Sequence, residues 1–378
     1  MEEIFFYILF DGNFTDFSLI EFNYLLAGIE PSLKFETIHF TNDILVIKIQ
    51  EPYLKIIKIF QQYSRLSSLT KEIGLFYFSV NYQTIIDFPE LMYVINEQVD
   101  TKYLAFKIDQ NTSFKVELVK RGIIDGNLFN PSNRQKLIYS IADNLIKKFN
   151  LNADLNNELI SIILFLTPSV IILGQRLLKP NRKLIMNRTP SNRSYFHSGS
   201  MNPILVRAMV NLGIKHHYFP AKSESKRKKI FLDPFMGAGG MLLEAGTMGY
   251  LTIGLELSYW MSRGARMNLS DLTYTGYDSF FWSILRCDSN KIPLKSNSID
   301  LIVTDPPYGH STILGGQTLE ELLSNVLLEC YRVLKDSSRM VISIPSQVTV
   351  DFIGFKILEK IIDRVHGSLT RIIYLLEK

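Results

Sequence analysis

The sequence predicts an α/β fold whose C-terminal half is a mostly parallel, seven-stranded sheet with helices on both faces. From about residue 196, short apolar runs alternate with amphipathic stretches of helical spacing. Apolar strands that alternate with helices are typical of parallel sheets covered on both faces. Hydrophobic residues make up 47% of the chain and charged residues 21%, as in ordinary globular proteins.

The elements of this C-terminal region follow one another in a regular order. Strands are expected at KIFLDP, LTIGLEL, SILRCDS, IDLIVTD and MVISIPS. Helices are expected at GGMLLEAGTMG, YWMSRGARMNLS and LEELLSNVLLECYRVL. The last segment, FKILEKIIDRVHGSLTRIIYLLEK, predicts two closing strands around a glycine-containing turn, which completes the seven strands.

The N-terminal half has a different pattern, which predicts two smaller units. Residues 1–60 combine the apolar runs IFFYILF and DILVIKI with the amphipathic stretch FTDFSLIEFNYLLAGI, as in a small α+β unit. Residues 61–175 predict strands at YLAFKID and SFKVELV and a helix at QKLIYSIADNLIKKF. The run ISIILFLTPSVIILG has a central proline and is shorter than the roughly 20 residues of a membrane helix, so we expect two strands joined by a turn. Residues 176–195 are polar, basic and proline-containing and are expected to be a linker to a domain at 196–378.

Positive charge is concentrated in one part of the chain. The stretch from Arg176 to Lys229 has 13 Lys and Arg residues against the single acid Glu224, a net charge of +12, whereas the whole chain carries +4. Such a distribution favours a polyanionic partner, although a solvated linker explains a charge run equally well. Candidate contacts to such a partner, in and before this stretch, are Lys115, Lys120, Arg121, Arg134, Arg176, Arg182, Lys183, Lys226, Arg227 and Lys228.

Other composition features exclude several classes of protein. The two cysteines, Cys287 and Cys330, cannot form a disulfide framework or a cysteine-based zinc site, which favours a cytoplasmic location. The first residues, MEEIFFYILF, lack the basic start of an export signal. The six histidines have no metal-ligand spacing, and His216 and His217 are adjacent, so no metal site is expected.

A glycine-rich loop follows the first strand of the C-terminal sheet. In FLDPFMGAGG, glycines at 237, 239 and 240 allow a tight turn and a close approach of the backbone to a ligand. Asp233 would repel a pyrophosphate but attract an ammonium group. The next strands end at Glu256, which suits the two hydroxyls of a ribose, and at Asp288, which suits the exocyclic amine of an adenine. Three acids at successive strand ends therefore favour S-adenosylmethionine over NAD, although each acid alone could be a simple strand-end cap.

The segment YFHSGSMNPILVRAMVNL lies just before this loop in the sequence. Its small residues precede a predicted helix, whose N-terminal amides could hold the carboxylate of the cofactor. A plain helix cap would give the same pattern. The full set of candidate cofactor contacts is His197, Ser198, Gly199, Ser200, Met201, Asp233, Phe235, Gly237, Gly239, Gly240, Glu256, Leu257, Asp288, Ser289 and Asp305.

The stretch LIVTDPPYG predicts the catalytic corner. Two prolines fix φ and remove two backbone donors, which leaves the Asp305 carboxylate and the Pro306 carbonyl as rigid acceptors. Pro307 and the ring of Tyr308 follow, and the ring could stack on a planar base. Such an array would grip an exocyclic amine and present its nitrogen to an activated methyl group. A base inside a duplex must first be flipped out, and the alternative interpretation is an ordinary proline turn.

These motifs resemble a known group of enzymes. DPFMGAGG, GLEL, CDS and DPPYG, in this order and after FHSGSM, are similar to those of class I methyltransferases that modify exocyclic amines. With FKVELVKRG in the N-terminal half, the chain resembles the THUMP-domain RNA methyltransferases. The likeness is greatest to the archaeal and eukaryotic tRNA guanosine-N2 methyltransferases that act on the position-10 guanosine. Met236 and Ala238 depart from the usual loop residues but leave the glycines unchanged.

The resemblance carries further expectations. It implies a Rossmann-like methyltransferase domain at 196–378, a THUMP RNA-binding domain at 61–175 and a ferredoxin-like unit at 1–60. It implies tRNA as substrate and, for some members, a small zinc-binding activator subunit. Its catalytic role falls on Asp305, Pro306, Pro307 and Tyr308. Guanine-N2 methylation at another RNA site, adenine-N6 methylation of DNA, and RNA binding without catalysis stay open as alternatives.

Overall fold

The computed structural model describes residues 3–85, 87–99, 112–124, 126, 128–215, 228–271, 280–308, 317–366 and 369–378. The chain divides into two compact units. The first unit contains Met1–Thr15, Lys34–Gln61 and Thr70–Lys179, and the second contains Asp16–Leu33, Gln62–Leu69 and Pro180–Lys378. Residues on both sides of the boundary predicted at residue 60 thus belong to the first unit.

Most segments with a strand or helix period in the sequence form the expected element. The strands are β1 (Ile4–Phe10), β2 (Phe35–Thr41), β3 (Ile44–Ile49), β4 (Thr70–Asn81), β5 (Ser113–Lys120), β6 (Asn152–Ala153), β7 (Ile160–Leu166), β8 (Val170–Leu178), β9 (Ile230–Asp233), β10 (Leu251–Leu255), β11 (Trp282–Leu285), β12 (Ile299–Thr304), β13 (Leu334–Pro345), β14 (Lys356–His366) and β15 (Leu369–Glu377). The helices are α1 (Thr15–Ile29), α2 (Tyr53–Leu66), α3 (Phe88–Gln98), α4 (Pro131–Phe149), α5 (Arg182–Met186), α6 (Pro203–Leu212), α7 (Gly240–Thr247), α8 (Tyr259–Ser270) and α9 (Leu319–Val333), with a 3-10 turn at Pro190–Asn192. None of the helices in the described ranges is long and apolar enough to cross a bilayer.

The first unit contains an eight-stranded sheet in the order β2-β3-β1-β4-β8-β7-β5-β6. Along the chain, β1, α1, β2, β3, α2 and β4 follow one another from Ile4 to Asn81, and the ferredoxin-like unit at residues 1–60 stays a prediction. The apolar run at 160–174 forms the antiparallel strands β7 and β8, as predicted from its central proline. The strand predicted at YLAFKID lies outside the described residues.

The second unit contains a seven-stranded sheet in the order β11-β10-β9-β12-β13-β15-β14. Strands β9 to β13 run parallel to one another, and β15 is antiparallel to both β13 and β14. This confirms the predicted α/β fold. The strand order reverses between β9 and β12, and ligands of such sheets bind beyond the carboxyl ends of the strands at this point.

One apolar cluster fixes the centre of this sheet. Leu232 of β9, Ile302 of β12 and Met340 of β13 are completely buried and pack with Leu323 and Cys330 of α9. Helix α9 begins at a capping box, in which Thr318 and Glu321 exchange side-chain and backbone hydrogen bonds. The carboxyl ends of the central strands are thereby held in fixed relative positions.

Part of the basic stretch belongs to the interior of the second unit. Arg188 is 1% exposed, and its Nε and Nη2 atoms donate to the two carboxylate oxygens of Glu244 at 2.6 and 2.8 Å. Arg207 donates to Glu244 Oε2 at 2.9 Å, and the buried Arg193 donates to the Arg188 carbonyl at 2.9 Å. The alternative interpretation of this stretch as a solvated linker therefore does not describe these three buried arginines.

Candidate active site at the carboxyl ends of the parallel strands

The glycine-rich loop turns sharply between β9 and α7. Gly237 has φ 51° and Gly239 has φ 84°, a left-handed conformation that favours glycine. The Met236 amide donates to the Leu255 carbonyl at 3.0 Å, which fixes the loop against the end of β10. The prediction that glycines shape this turn before a helix is thus consistent with the backbone.

Asp233 lies at the base of the loop and is 1% exposed. Its Oδ1 atom accepts hydrogen bonds from Thr304 Oγ1 at 2.7 Å and from the Phe235 amide at 3.0 Å. Burial raises the pKa of Asp233 to about 7, and the carboxylates of Asp305 and Glu256 act in the same direction. The side chain therefore connects the β12 strand end to the cofactor loop and shares its electrostatic environment with two other predicted site residues.

Glu256 and Asp288 follow the next two strands, as predicted. Glu256 Oε1 accepts from the Ser258 amide at 2.8 Å, and burial raises the pKa of this carboxyl. Asp288 is exposed and accepts from the Asn290 amide at 2.9 Å. Ser289 is buried, and its hydroxyl donates to the Pro234 carbonyl at 2.5 Å, so the end of β11 is tied to the cofactor loop.

The FHSGSM segment forms an exposed turn before α6. The Ser200 amide donates to the His197 carbonyl at 3.1 Å, and the charge of His197 lowers the pKa of Glu256, against the larger effect of burial. Helix α6 is capped by Asn202, whose side chain accepts from the Ile204 amide at 2.9 Å, and Pro203 has no amide hydrogen. The helix start consequently offers fewer free donors to an anion than the sequence suggested.

The remaining cofactor candidates have mixed exposure. Ser198 and Gly199 are exposed, Leu257 is 60% exposed, and Met201 and Phe235 are half-buried. Gly240 is the first residue of α7.

The DPPY corner lies directly after β12, beside the loop. The Tyr308 hydroxyl donates to Asp305 Oδ1 at 2.5 Å and lies 2.9 Å from the Ser343 hydroxyl on β13. Pro306 is buried and Pro307 half-buried, and Gly309 lies outside the described residues. The acceptor predicted to be open at Asp305 Oδ1 is thus bound by the neighbouring tyrosine, because the turn brings the phenol back onto the carboxylate.

The charge of Asp305 is set by groups from three other strands. Burial raises the pKa of Asp305, the Arg371 guanidinium and the hydroxyls of Tyr308 and Ser343 lower it, and Asp363 raises it. Arg371 Nη1 lies 3.8 Å from Asp305 Oδ2, and 22% of the Asp305 side chain is exposed. The corner is therefore reachable from solvent and electrostatically coupled to the last two strands.

Sequence reasoning missed four residues of this site: Thr304, Ser343, Asp363 and Arg371. Thr304 could have been found, since it precedes Asp305 at the end of an apolar strand. Ser343 and Arg371 reach the site only because β13 is the neighbour of β12 and β15 is the neighbour of β13 in the sheet order, and no local pattern contains that information.

The C-terminal residues match a family of known description. Residues 190–372 match the family described as UPF0020, RMKL-like, methyltransferase domain. The chain is 33% identical over 210 residues to a tRNA (guanine(10)-N2)-dimethyltransferase of Methanothermobacter thermautotrophicus, covering 55% of this chain and 58% of the relative. It is 30% identical over 277 residues to the protein of the same name from Methanocaldococcus jannaschii, covering 72% of each. The chain belongs to the tRNA (guanine(10)-N2)-dimethyltransferase family.

Solved structures agree on the fold of this family member. The chain aligns with TrmN from Thermus thermophilus at a TM-score of 0.54 and 17% identity, covering 100% of both chains. It aligns with a possible methylase from Clostridium difficile 630 at a TM-score of 0.53 and 14% identity, covering 99% of this chain and 98% of that one. The chain spans 58% of the length of the relatives from M. thermautotrophicus and Pyrococcus abyssi.

In this family member, two predicted RNA contacts of the first unit are already ion-paired. Arg176 donates to Glu72 at 2.6 Å and to Glu117 at 3.0 Å. Lys115 pairs with Glu117 at 2.9 Å and with Glu158 at 2.5 Å. The hydrogen bond from Arg176 is the main reason why the pKa of Glu117 is lowered to about 2, despite partial burial. Both cations are therefore held by carboxylates, and binding a phosphate would require breaking these pairs.

The other basic candidates differ in exposure. Lys120 and Lys183 are exposed, and Lys228 is exposed with its Nζ 4.2 Å from the centre of the Phe281 ring. Arg121 lies 3.4 Å from Asp43, Arg134 donates to the Asn130 carbonyl at 3.4 Å, and Arg182 is half-buried. Lys226 and Arg227 lie outside the described residues.

Proposed function

We propose that this protein transfers a methyl group from S-adenosylmethionine to the exocyclic N2 amine of a guanosine in tRNA. The names of its relatives point to guanosine 10 and to the addition of up to two methyl groups. The single observation that carries the proposal is the partly exposed Asp305 carboxylate at the end of β12, directly beside the glycine-rich loop.

The donor groups around the loop suit this cofactor. Glu256 would hold the ribose hydroxyls and Asp288 the adenine amine, because carboxylates accept from both. The left-handed turn at Gly237 and Gly239 brings backbone amides close to the same strand ends. Asp233 is buried and bound to Thr304, so it would favour the ammonium group through its negative charge and by holding the loop.

The chain's own residues would act on the amine. Bound S-adenosylmethionine supplies a methyl group on a sulfonium, a leaving group that needs no further activation. The amine nitrogen attacks the methyl carbon, the carbon–sulfur bond breaks with its electron pair retained by sulfur, and the amine loses one proton. An ionised Asp305 would accept a hydrogen bond from the amine, oppose the positive charge that develops on nitrogen, and receive that proton. Orientation of the amine is worth up to ~7–11 kcal/mol in well-aligned reactions.

The Tyr308 hydroxyl has to give up its hydrogen bond to Asp305 before the ring can stack on a base. Its hydroxyl is bound to Asp305 Oδ1 and Ser343, so the phenol must leave Oδ1 before an amine can bind at that oxygen. Once released, the ring can stack on the base, an interaction worth about 1–3 kcal/mol per base.

The proposal is tested by nucleoside mass spectrometry of a tRNA transcript after incubation with the protein and cofactor. We expect N2-methylguanosine or its dimethyl form with the native chain. Asp305→Asn should reduce the rate on the order of 10²–10⁴-fold while cofactor binding, measured by calorimetry, is retained. Turnover by Asp305→Asn at the native rate would refute the mechanism. Methylation of a DNA duplex at adenine instead of tRNA would favour the adenine-N6 alternative, since the DPPY corner suits that amine as well.

Several features of the whole protein remain part of this proposal. The THUMP assignment of residues 61–175 and the RNA contacts of the exposed lysines rest on the resemblance and on charge. Neutralising one phosphate contact should reduce the slope of log affinity against log salt by about 0.7–0.9. A zinc-binding activator subunit and a cytoplasmic location are likewise proposed, and co-purification from native cells would test the former.

A further inference from the structure

Arg371 lies at the same edge of the sheet as the catalytic corner. It is near the beginning of β15, paired with Pro345 at the carboxyl end of β13 on one side and with Asp363 of β14 on the other. Since β15 is antiparallel to β13, its first residues lie where the parallel strands end. The side chain can therefore reach past β13 to Asp305, the residue after β12.

The guanidinium is buried and shared between two acids. Arg371 is 8% exposed, and its Nε donates to Asp363 Oδ2 at 2.6 Å, whereas its Nη1 lies 3.8 Å from Asp305 Oδ2. Asp363 is itself only 7% exposed. The tight contact is thus with Asp363 and the looser one with Asp305, so that Asp363 anchors the arginine and Asp305 keeps room for another donor.

The charges of Asp305, Arg371 and Asp363 suit a reaction in which a positive charge develops on the amine. Two carboxylates and one guanidinium leave a net charge of −1 when both acids are ionised. Burial raises the pKa of Asp305, which disfavours the ionised carboxylate that accepts from an amine. A nearby cation lowers that pKa, and Asp363 offsets part of the cation's charge. Other charged or titratable groups close to Asp305 are Tyr308, from its own turn, and Asp233, at the end of β9.

We propose that Arg371 is a positioning residue, which Asp363 anchors and which keeps the Asp305 carboxylate ionised and oriented toward the amine. The inference deepens the proposed function and depends on it for the identity of the amine. Its physical content, the coupling of Asp305 to Arg371 and Asp363, can be measured without any substrate.

The substrate-free test is a carbon-13 NMR titration of the aspartate carboxyls, with the Asp305 signal assigned by its loss in Asp305→Asn. Arg371→Met should raise the pKa of Asp305 by about 1 or more, as expected for loss of an opposite charge within this distance. Asp363→Asn should lower it, because the arginine then interacts with Asp305 alone. Arg371→Lys keeps a positive charge and should give a smaller rise than Arg371→Met. Arg364→Met, an exposed arginine on β14, is the matched control and should leave the signal unchanged.

The same variants separate positioning from structure in the reaction. The acid limb of the pH profile of single-turnover tRNA methylation should move to higher pH in Arg371→Met and to lower pH in Asp363→Asn. Lower rates with an unshifted limb in both variants, and an unshifted Asp305 titration, would overturn the inference. If the native protein methylates no tRNA but the variants shift the pKa of Asp305 as expected, the proposed function is wrong and the positioning role is still supported. If Arg371→Met does not fold, the opposite shifts of Arg371→Lys and Asp363→Asn decide the question.

Discussion

Glu244 and Asp305, two carboxylates of the second unit with arginine neighbours, differ in the direction of their pKa shifts. Glu244 is completely buried and accepts three hydrogen bonds from Arg188 and Arg207 at 2.6–2.9 Å. Burial acts to raise its pKa, but the two arginines outweigh burial and the pKa is lowered. Asp305 has one arginine at 3.8 Å, and its pKa is raised. The number and closeness of cationic donors thus separate a structural acid from one that is left able to bind and release a proton.

The largest expected effect is on the free energy of unfolding and concerns Glu244. Glu244→Gln removes the charge that pairs with two buried arginines, and breaking such pairs costs about 3–5 kcal/mol. Urea unfolding should show a loss of that size, whereas Asp305→Asn should change the free energy of unfolding by less than about 1 kcal/mol. Similar losses in both variants would remove the distinction between the two acids.

The pH dependence of stability should reveal the titration of Asp233, another buried acid of the second unit. Its pKa of about 7 lies above the ordinary value, so the folded state holds the proton more tightly than the unfolded state. The stability that this group contributes is complete at low pH and is lost as the pH rises to about 7. Relative to Asp233→Asn, the native chain should lose about 2 kcal/mol between pH 5 and pH 7, at ~1.4 kcal/mol per pH unit. A difference that stays constant over this range would contradict the assignment.

The same titration should appear in cofactor affinity. A positively charged ligand near Asp233 favours the ionised form of its carboxyl. The affinity for S-adenosylmethionine should therefore increase as the pH rises toward 7, by up to about tenfold per pH unit. Calorimetry between pH 5.5 and pH 8 would check this, with Asp233→Asn as the control that should lack most of the dependence.

Alanine substitutions at two glycines with left-handed backbones separate the effect of the loop on cofactor binding from its effect on stability. Gly239 has φ 84° and Gly249 has φ 94°, so alanine at either should cost roughly 1–2 kcal/mol of stability. Only Gly239→Ala should also weaken cofactor binding, since Gly249 lies at the far end of α7. Equal binding by both variants would mean that the loop geometry does not matter to the ligand.

The smallest effect is expected for an exposed ion pair. Lys147 and Asp143 lie one helical turn apart on α4, and their side chains are 69% and 57% exposed. Asp143→Ala should change the free energy of unfolding by no more than about 0.5 kcal/mol. A loss above 2 kcal/mol would show that proximity alone, without burial, stabilises pairs in this protein.

The fold and the chemical groups of the site were largely predictable, because they depend on local patterns. The period of LIVT and the proline pair after it identify β12 and its rigid end, and the glycines identify the loop before α7. The partners of Asp305 were not predictable. Ser343 and Arg371 are 38 and 66 residues away in sequence and reach it through strand neighbours. The burial of Arg188 and Arg207 against Glu244 was likewise not predictable, since a basic residue gives no local sign of a distant buried partner.

The most direct test of the central claim uses a substrate that lacks the amine. A tRNA transcript with inosine in place of guanosine 10 differs from the native transcript only in lacking the N2 amino group at that position. We predict that the native protein binds both transcripts alike and transfers labelled methyl only to the guanosine form. Equal transfer to the inosine transcript would contradict the proposal that the Asp305 corner acts on this amine.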